Sequence, residues 1–122
     1  IWGCVHPVDD TVRAAYDAPF PDPSYLAGPR AMPLLVPTAP DDPASNANRA
    51  AWRVLTSSSV PVLVAFSDGD PITGAMAPIF KAALPGAAGV EHPVIADAGH
   101  FLQEDAGEDL AAVIVTFLST TP

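Results

Sequence analysis

At 122 residues the chain is long enough for one domain that buries about two-thirds of its unfolded surface, and 49% hydrophobic residues with a mean hydropathy of +0.28 exclude a solvated, disordered chain. Fourteen acidic against five basic side chains give a formal charge of −9, which repels a phosphate backbone and an anionic bilayer alike, so neither nucleic acid nor membrane is an expected partner. No apolar run approaches the ~20 residues of a membrane span, no basic region followed by a hydrophobic segment marks a leader, and the lone Cys4 excludes an internal disulfide and reads as a small buried hydrophobe. The start at Ile1 rather than Met leaves room for a preceding segment; the default compartment is the cytoplasm.

Residues 1–59 read as helical. Val8, Val12, Ala15 and Tyr16 have helical spacing, and Asp9 and Asp10 suit the positive end of a helix start. That helix stops before Pro19; Pro19-Phe20-Pro21-Asp22-Pro23 must be extended or turning, after which Ser24 can cap a short helix through Arg30. A polar loop at Pro40-Asp41-Asp42-Pro43 precedes a helix over Ala47 to Leu55 that carries Trp52. No strand alternation occurs in this half.

Residues 60–122 change character. Val60 to Phe66 is continuously apolar and β-branched, as in a parallel strand buried on both faces, with Pro61 tolerated near its start. Met76, Ile79, Phe80, Ala83 and Leu84 then repeat at helical spacing up to Pro85-Gly86. His92 to Ala96 reads as a second short strand, and Leu110, Val113, Ile114, Phe117 and Leu118 form a closing amphipathic helix. The order strand, helix, strand, helix implies a right-handed parallel α/β unit. Two strands are too few for a stable parallel sheet covered on both faces, so the chain reads as the last part of a larger α/β domain preceded by a helical insertion.

Two turns carry the chemistry. In open parallel sheets functional groups lie at the carboxyl ends of strands, which is where Ser67-Asp68-Gly69-Asp70-Pro71 and Ala98-Gly99-His100 fall. A histidine base needs one ring nitrogen toward the substrate and the other held by a carboxylate; His100 and Asp70 suit those parts, with Asp68 the rival acid. Taken singly, His100 is as well read as a solvated loop residue and Asp70 as a turn or cap residue. His6 and His92 read as ordinary, three scattered histidines do not make a metal site, and Asp41, Asp42, Glu104 and Asp105 read as solvated charges. No cofactor-binding motif is present.

The combination of Ser67-Asp68-Gly69-Asp70-Pro71-Ile72-Thr73 with Ala98-Gly99-His100-Phe101-Leu102-Gln103-Glu104-Asp105 resembles the C-terminal part of an α/β-hydrolase, and more closely a haloalkane dehalogenase. Tyr16-Asp17-Ala18-Pro19-Phe20-Pro21-Asp22, followed by Ser24-Tyr25, Ala27-Gly28, Arg30 and Met32-Pro33, is similar to that family's cap segment. The resemblance extends from about Ala14 to Leu118 and implies a helical cap segment over 1–59 and the last two parallel strands of the hydrolase core, with their helices, over 60–122. It further implies displacement of halide from an alkyl halide by an aspartate, giving an alkyl-enzyme ester that histidine-activated water hydrolyses. Carried over by motif, His100 is the base, Asp70 its orienting acid, and Met32, Pro33, Val36, Ile72, Thr73 and Phe101 face the substrate cavity; as apolar or small residues they are equally well read as plain core.

The implied partners are a small apolar halogenated substrate, water and the halide product. The family's nucleophile sits in an elbow of the type Gly-x-nucleophile-x-Gly; here no two glycines lie four apart, so the chain by itself is expected to be inactive. Trp2 and Trp52 fit the family's halide-binding places poorly and read as packing residues. An ester or epoxide hydrolase of the same fold, and a non-catalytic association module with an exposed sheet edge, are the alternatives.

Overall fold

Fifteen prolines leave only short stretches free to close regular hydrogen bonds, and the elements are correspondingly brief. A computed structural model describes residues 3–121. They divide into two units, one built from the residues up to Val8 together with those from Thr56 onward, the other from Asp9–Leu55. By compactness the division falls between Leu55 and Thr56, and residues 3–8 group with the strand-bearing unit.

The regular elements of the unit Asp9–Leu55 are all helices and 3₁₀ turns. Helix α1 spans Asp10–Asp17, with Asp9 as its cap: the Asp9 carboxylate accepts the amide of Val12 at 2.9 Å. The next cap is Asp22 rather than Ser24. Asp22 Oδ1 accepts the Ser24 amide at 2.9 Å and the Ser24 hydroxyl at 2.6 Å, so the serine is a donor to the cap, and a 3₁₀ turn over Pro23–Leu26 leads into α2, Ala27–Ala31. A second 3₁₀ turn, Met32–Leu35, follows. Helix α3 covers Ser45–Leu55, starting two residues before the expected Ala47. Its first residue is buried, and the Ser45 hydroxyl donates to the Ala39 carbonyl at 2.7 Å, docking the preceding polar loop on the helix.

In the other unit the parallel pairing is present but shorter than the apolar run suggests. Strand β1 is Phe66–Ser67 and β2 is Val94–Ile95, in register Phe66 to Val94 and Ser67 to Ile95. The expected strand Val60–Phe66 has regular pairing only at Phe66, and two of its preceding amides find acceptors elsewhere. Val62 N–H donates to the Gly86 carbonyl at 2.9 Å and Val64 N–H to His92 Nδ1 at 3.2 Å, while His92 Nε2 donates to the Ala87 carbonyl at 3.0 Å. One histidine ring thus replaces part of a strand ladder. Gly86 permits this approach: a Cβ there would lie 1.8 Å from the Val60 carbonyl oxygen.

Helix α4, Met76–Ala83, follows β1; α5, Leu102–Asp105, and α6, Gly107–Thr120, follow β2. The core is small, consisting of Val64, Leu84, Ala87, Ile95 and Ala98. Much of the apolar helical spacing stays exposed. Ile79 of α4 and Ile114, Val115 and Leu118 of α6 face outward, as does Val94 of β2. No helix among the described residues is long and apolar enough to cross a membrane.

Candidate active site at the strand ends

The ladder does not stop at β1 and β2. Asp68 N–H donates to the Ile95 carbonyl and Gly69 N–H to the Ala98 carbonyl, both at 3.0 Å, so the two following loops run side by side. This places the turn carrying Asp70 against the turn carrying His100, thirty residues later, with His100 Nδ1 3.0 Å from Asp70 Oδ1.

Asp70 is held from several directions. Its side chain is only 5% exposed. Oδ1 also accepts the amides of Ile72 at 2.8 Å and Thr73 at 3.1 Å, and Oδ2 accepts the Thr73 hydroxyl. Burial pushes its carboxyl pKa up, but the Thr73 hydroxyl, the two amides and the His100 ring outweigh that and hold it at about 2. An ionised carboxylate can only accept, so the proton of the shared bond belongs to His100 Nδ1. Nε2 is left as the basic nitrogen and has no hydrogen-bond partner among the described residues. The imidazole is 26% exposed, and the ring of Phe101 meets it edge-on with centroids 5.1 Å apart.

Asp68 faces elsewhere. Its carboxylate accepts the amides of Asp97 at 3.1 Å and Ala98 at 3.3 Å, and those bonds hold its pKa below the usual value. Asp97 has a left-handed backbone, φ 56°, and its carboxylate contacts His6 Nε2 at 3.0 Å. Two further residues, one read as a solvated charge and one not singled out from sequence, hold the histidine turn itself. Ser67 is buried, and its hydroxyl donates to the Gly99 carbonyl at 2.7 Å. Asp105 accepts the Gly99 amide at 2.8 Å and the amides of Val5 and His6 at 2.9 and 3.0 Å. Burial raises its pKa, but the three amides outweigh this and leave it lowered. Asp105 is therefore not the solvated charge its sequence position suggests.

The residues expected to line a cavity belong to both units. Ile72 borders a cavity of about 410 Å³ shared with Cys4, Val5, Gly69, Pro71 and Gly99. Thr73 spends its hydroxyl on Asp70, and Phe101 lies against His100. Met32, Pro33 and Val36 belong to the helical unit, where Met32 and Val36 have exposed side chains. A larger cleft of about 750 Å³, between Pro61, Leu63, Pro85 and α6, touches neither Asp70 nor His100. Cys4 is half-buried, and desolvation, with Asp105 nearby, raises its thiol pKa. Trp52 is half-buried, whereas Trp2 lies outside the described residues. Among the described residues no group of three His, Cys, Asp or Glu side chains is arranged to hold a metal ion.

No protein-family model matches the chain. It is 48% identical over 120 residues to a haloalkane dehalogenase of Psychrobacter cryohalolentis, 52% identical over 121 residues to haloalkane dehalogenase 1 of Mycobacterium bovis, and 53% identical over 116 residues to a haloalkane dehalogenase of Mycobacterium marinum. These matches cover 94–98% of the chain, which spans about 40% of the length of those curated relatives.

Proposed function

The chain is a homologue of the haloalkane dehalogenases, and from that premise we propose that it supplies the acid–base half of a hydrolytic dehalogenation site. The observation that carries this reading is the 3.0 Å contact between Asp70 Oδ1 and His100 Nδ1. A carboxylate nucleophile from outside these residues displaces halide from the alkyl halide and leaves an alkyl-enzyme ester. His100 Nε2 then takes a proton from water as the oxygen attacks the ester carbonyl. Asp70, whose carboxyl pKa is lowered to about 2 and which is therefore ionised at neutral pH, stabilises the imidazolium so formed. Collapse of the tetrahedral intermediate expels the alkoxide, which the imidazolium protonates to the alcohol, and the nucleophile, left as a carboxylic acid, releases its proton to solvent to become a carboxylate again.

Ile72 and Phe101 offer apolar surface to the alkyl chain close to this pair, Thr73 serves first as a donor to Asp70, and Met32, Pro33 and Val36 are the apolar candidates of the helical unit. The test is a chimaera in which this chain replaces the matched 121 residues of the Mycobacterium bovis relative. Halide release from dibromoethane or chlorobutane is expected, His100→Ala should accumulate the alkyl-enzyme ester, and Asp70→Ala should slow turnover by about 10²–10⁴-fold. Normal turnover by the His100→Ala chimaera would remove the base assignment; hydrolysis of aryl esters with no halide release would favour an esterase instead.

A further inference from the structure

Asp105 takes no part in the Asp70–His100 contact, yet its carboxylate reaches the loop that carries the histidine. Oδ2 accepts the Gly99 amide at 2.8 Å and the Val5 amide at 2.9 Å, and Oδ1 accepts the His6 amide at 3.0 Å. The other polar group of Gly99, its carbonyl, is taken by the Ser67 hydroxyl at 2.7 Å. Gly99 is buried, and the two bonds hold the peptides on either side of it: Asp105 the Ala98–Gly99 peptide through its N–H, Ser67 the Gly99–His100 peptide through its carbonyl. Bonds from amides to a carboxylate are about twice as strong as neutral ones, which makes the Asp105 side of this clamp the stronger one.

We propose that Asp105 is a positioning residue for His100, keeping the imidazole on Asp70 by fixing the amide of Gly99. Its functional meaning rests on the reading of His100 as a base, but the positioning can be tested on the 122-residue chain without turnover. In histidine-labelled chain, the Nδ1 proton of His100 bonded to Asp70 gives a downfield resonance, and the His92 ring, bonded to Val64 and Ala87, is an internal reference for the fold.

In Asp105→Ala, Gly99 amide exchange should quicken by about tenfold to a hundredfold, and the His100 resonance should broaden or vanish while that of His92 persists. Asp105→Asn, neutral but still offering an oxygen, should fall between the two. An unchanged His100 resonance and unchanged Gly99 exchange in Asp105→Ala would overturn the proposal. Should Asp105→Ala lose the His92 signal as well, Asp105→Asn decides: weakened His100 with intact His92 supports positioning, whereas parallel loss, or no change at His100, overturns it. Normal turnover by the His100→Ala chimaera would sink the base assignment alone and leave this result standing.

Discussion

The hydroxyl of Ser67, the last residue of β1, lies 2.7 Å from the carbonyl oxygen of Gly99, so the end of one strand holds the loop that follows the other. Both residues are buried. Ser67→Ala should leave that carbonyl without a donor and cost about 1–3 kcal/mol, read as a lower urea midpoint with an unchanged slope. A cost indistinguishable from zero would mean that the loop finds another partner.

Glycine at position 99 is required by space. A Cβ there would lie 2.3 Å from the Gly3 carbonyl oxygen, which is backbone and cannot yield as a flexible side chain would. Gly99→Ala should displace the histidine turn and abolish the His100–Asp70 resonance. Gly107→Ala is the control, since nothing lies within 4 Å of its added methyl; at the start of α6 it should be neutral or stabilising by up to about 1 kcal/mol. Thermal denaturation of the two variants should therefore shift in opposite directions, or only for the first.

Asp70 sets a direction for acid sensitivity. Its pKa is lowered from 3.8 to about 2, so the unfolded chain binds its proton at a higher pH than the folded one. The stabilisation it contributes is therefore fully present above the unfolded value and is lost as pH falls from about 4 towards 2. Asp105, also lowered, acts with the same sign. Urea midpoints of wild type and Asp70→Asn should differ at neutral pH and converge through that acid window. Thr73→Val, which removes the hydroxyl donor to Oδ2, should move the Asp70 titration upward, as read from its carboxyl carbon resonance.

His92 earns a structural rather than a catalytic prediction. Its ring accepts from Val64 and donates to Ala87, two buried residues. His92→Ala should strand both groups and destabilise by about 2–4 kcal/mol, with the His100–Asp70 resonance retained at temperatures where the variant is folded. Loss of that resonance under folded conditions would show that the two rings are not independent.

How much of this was readable beforehand depended on where hydrogen bonds go. Helical spacing located α4 and α6, because their apolar residues recur at one period whether or not a partner covers them. The run Val60–Phe66 announced a strand, but no periodicity shows that Val64 donates to an imidazole rather than to a neighbouring strand. At the site, sequence offered Asp68 and Asp70 two residues apart with equal chemistry; only the side-by-side loops give one carboxylate to His100 and the other to the amides of Asp97 and Ala98. Asp105 escaped notice because its partners are backbone amides, which leave no trace in side-chain identity, and one of them is a hundred residues away.

The outward-facing Ile114, Val115 and Leu118 of α6 give the chain an unusual colloidal character. With a net charge of −9, copies repel one another at low ionic strength; at about 0.1 M salt, screening shortens that repulsion to roughly 10 Å while the attraction between apolar rows is untouched. Self-association should thus grow as salt is added, the reverse of an assembly held by ion pairs, and sedimentation across a salt series would register the difference.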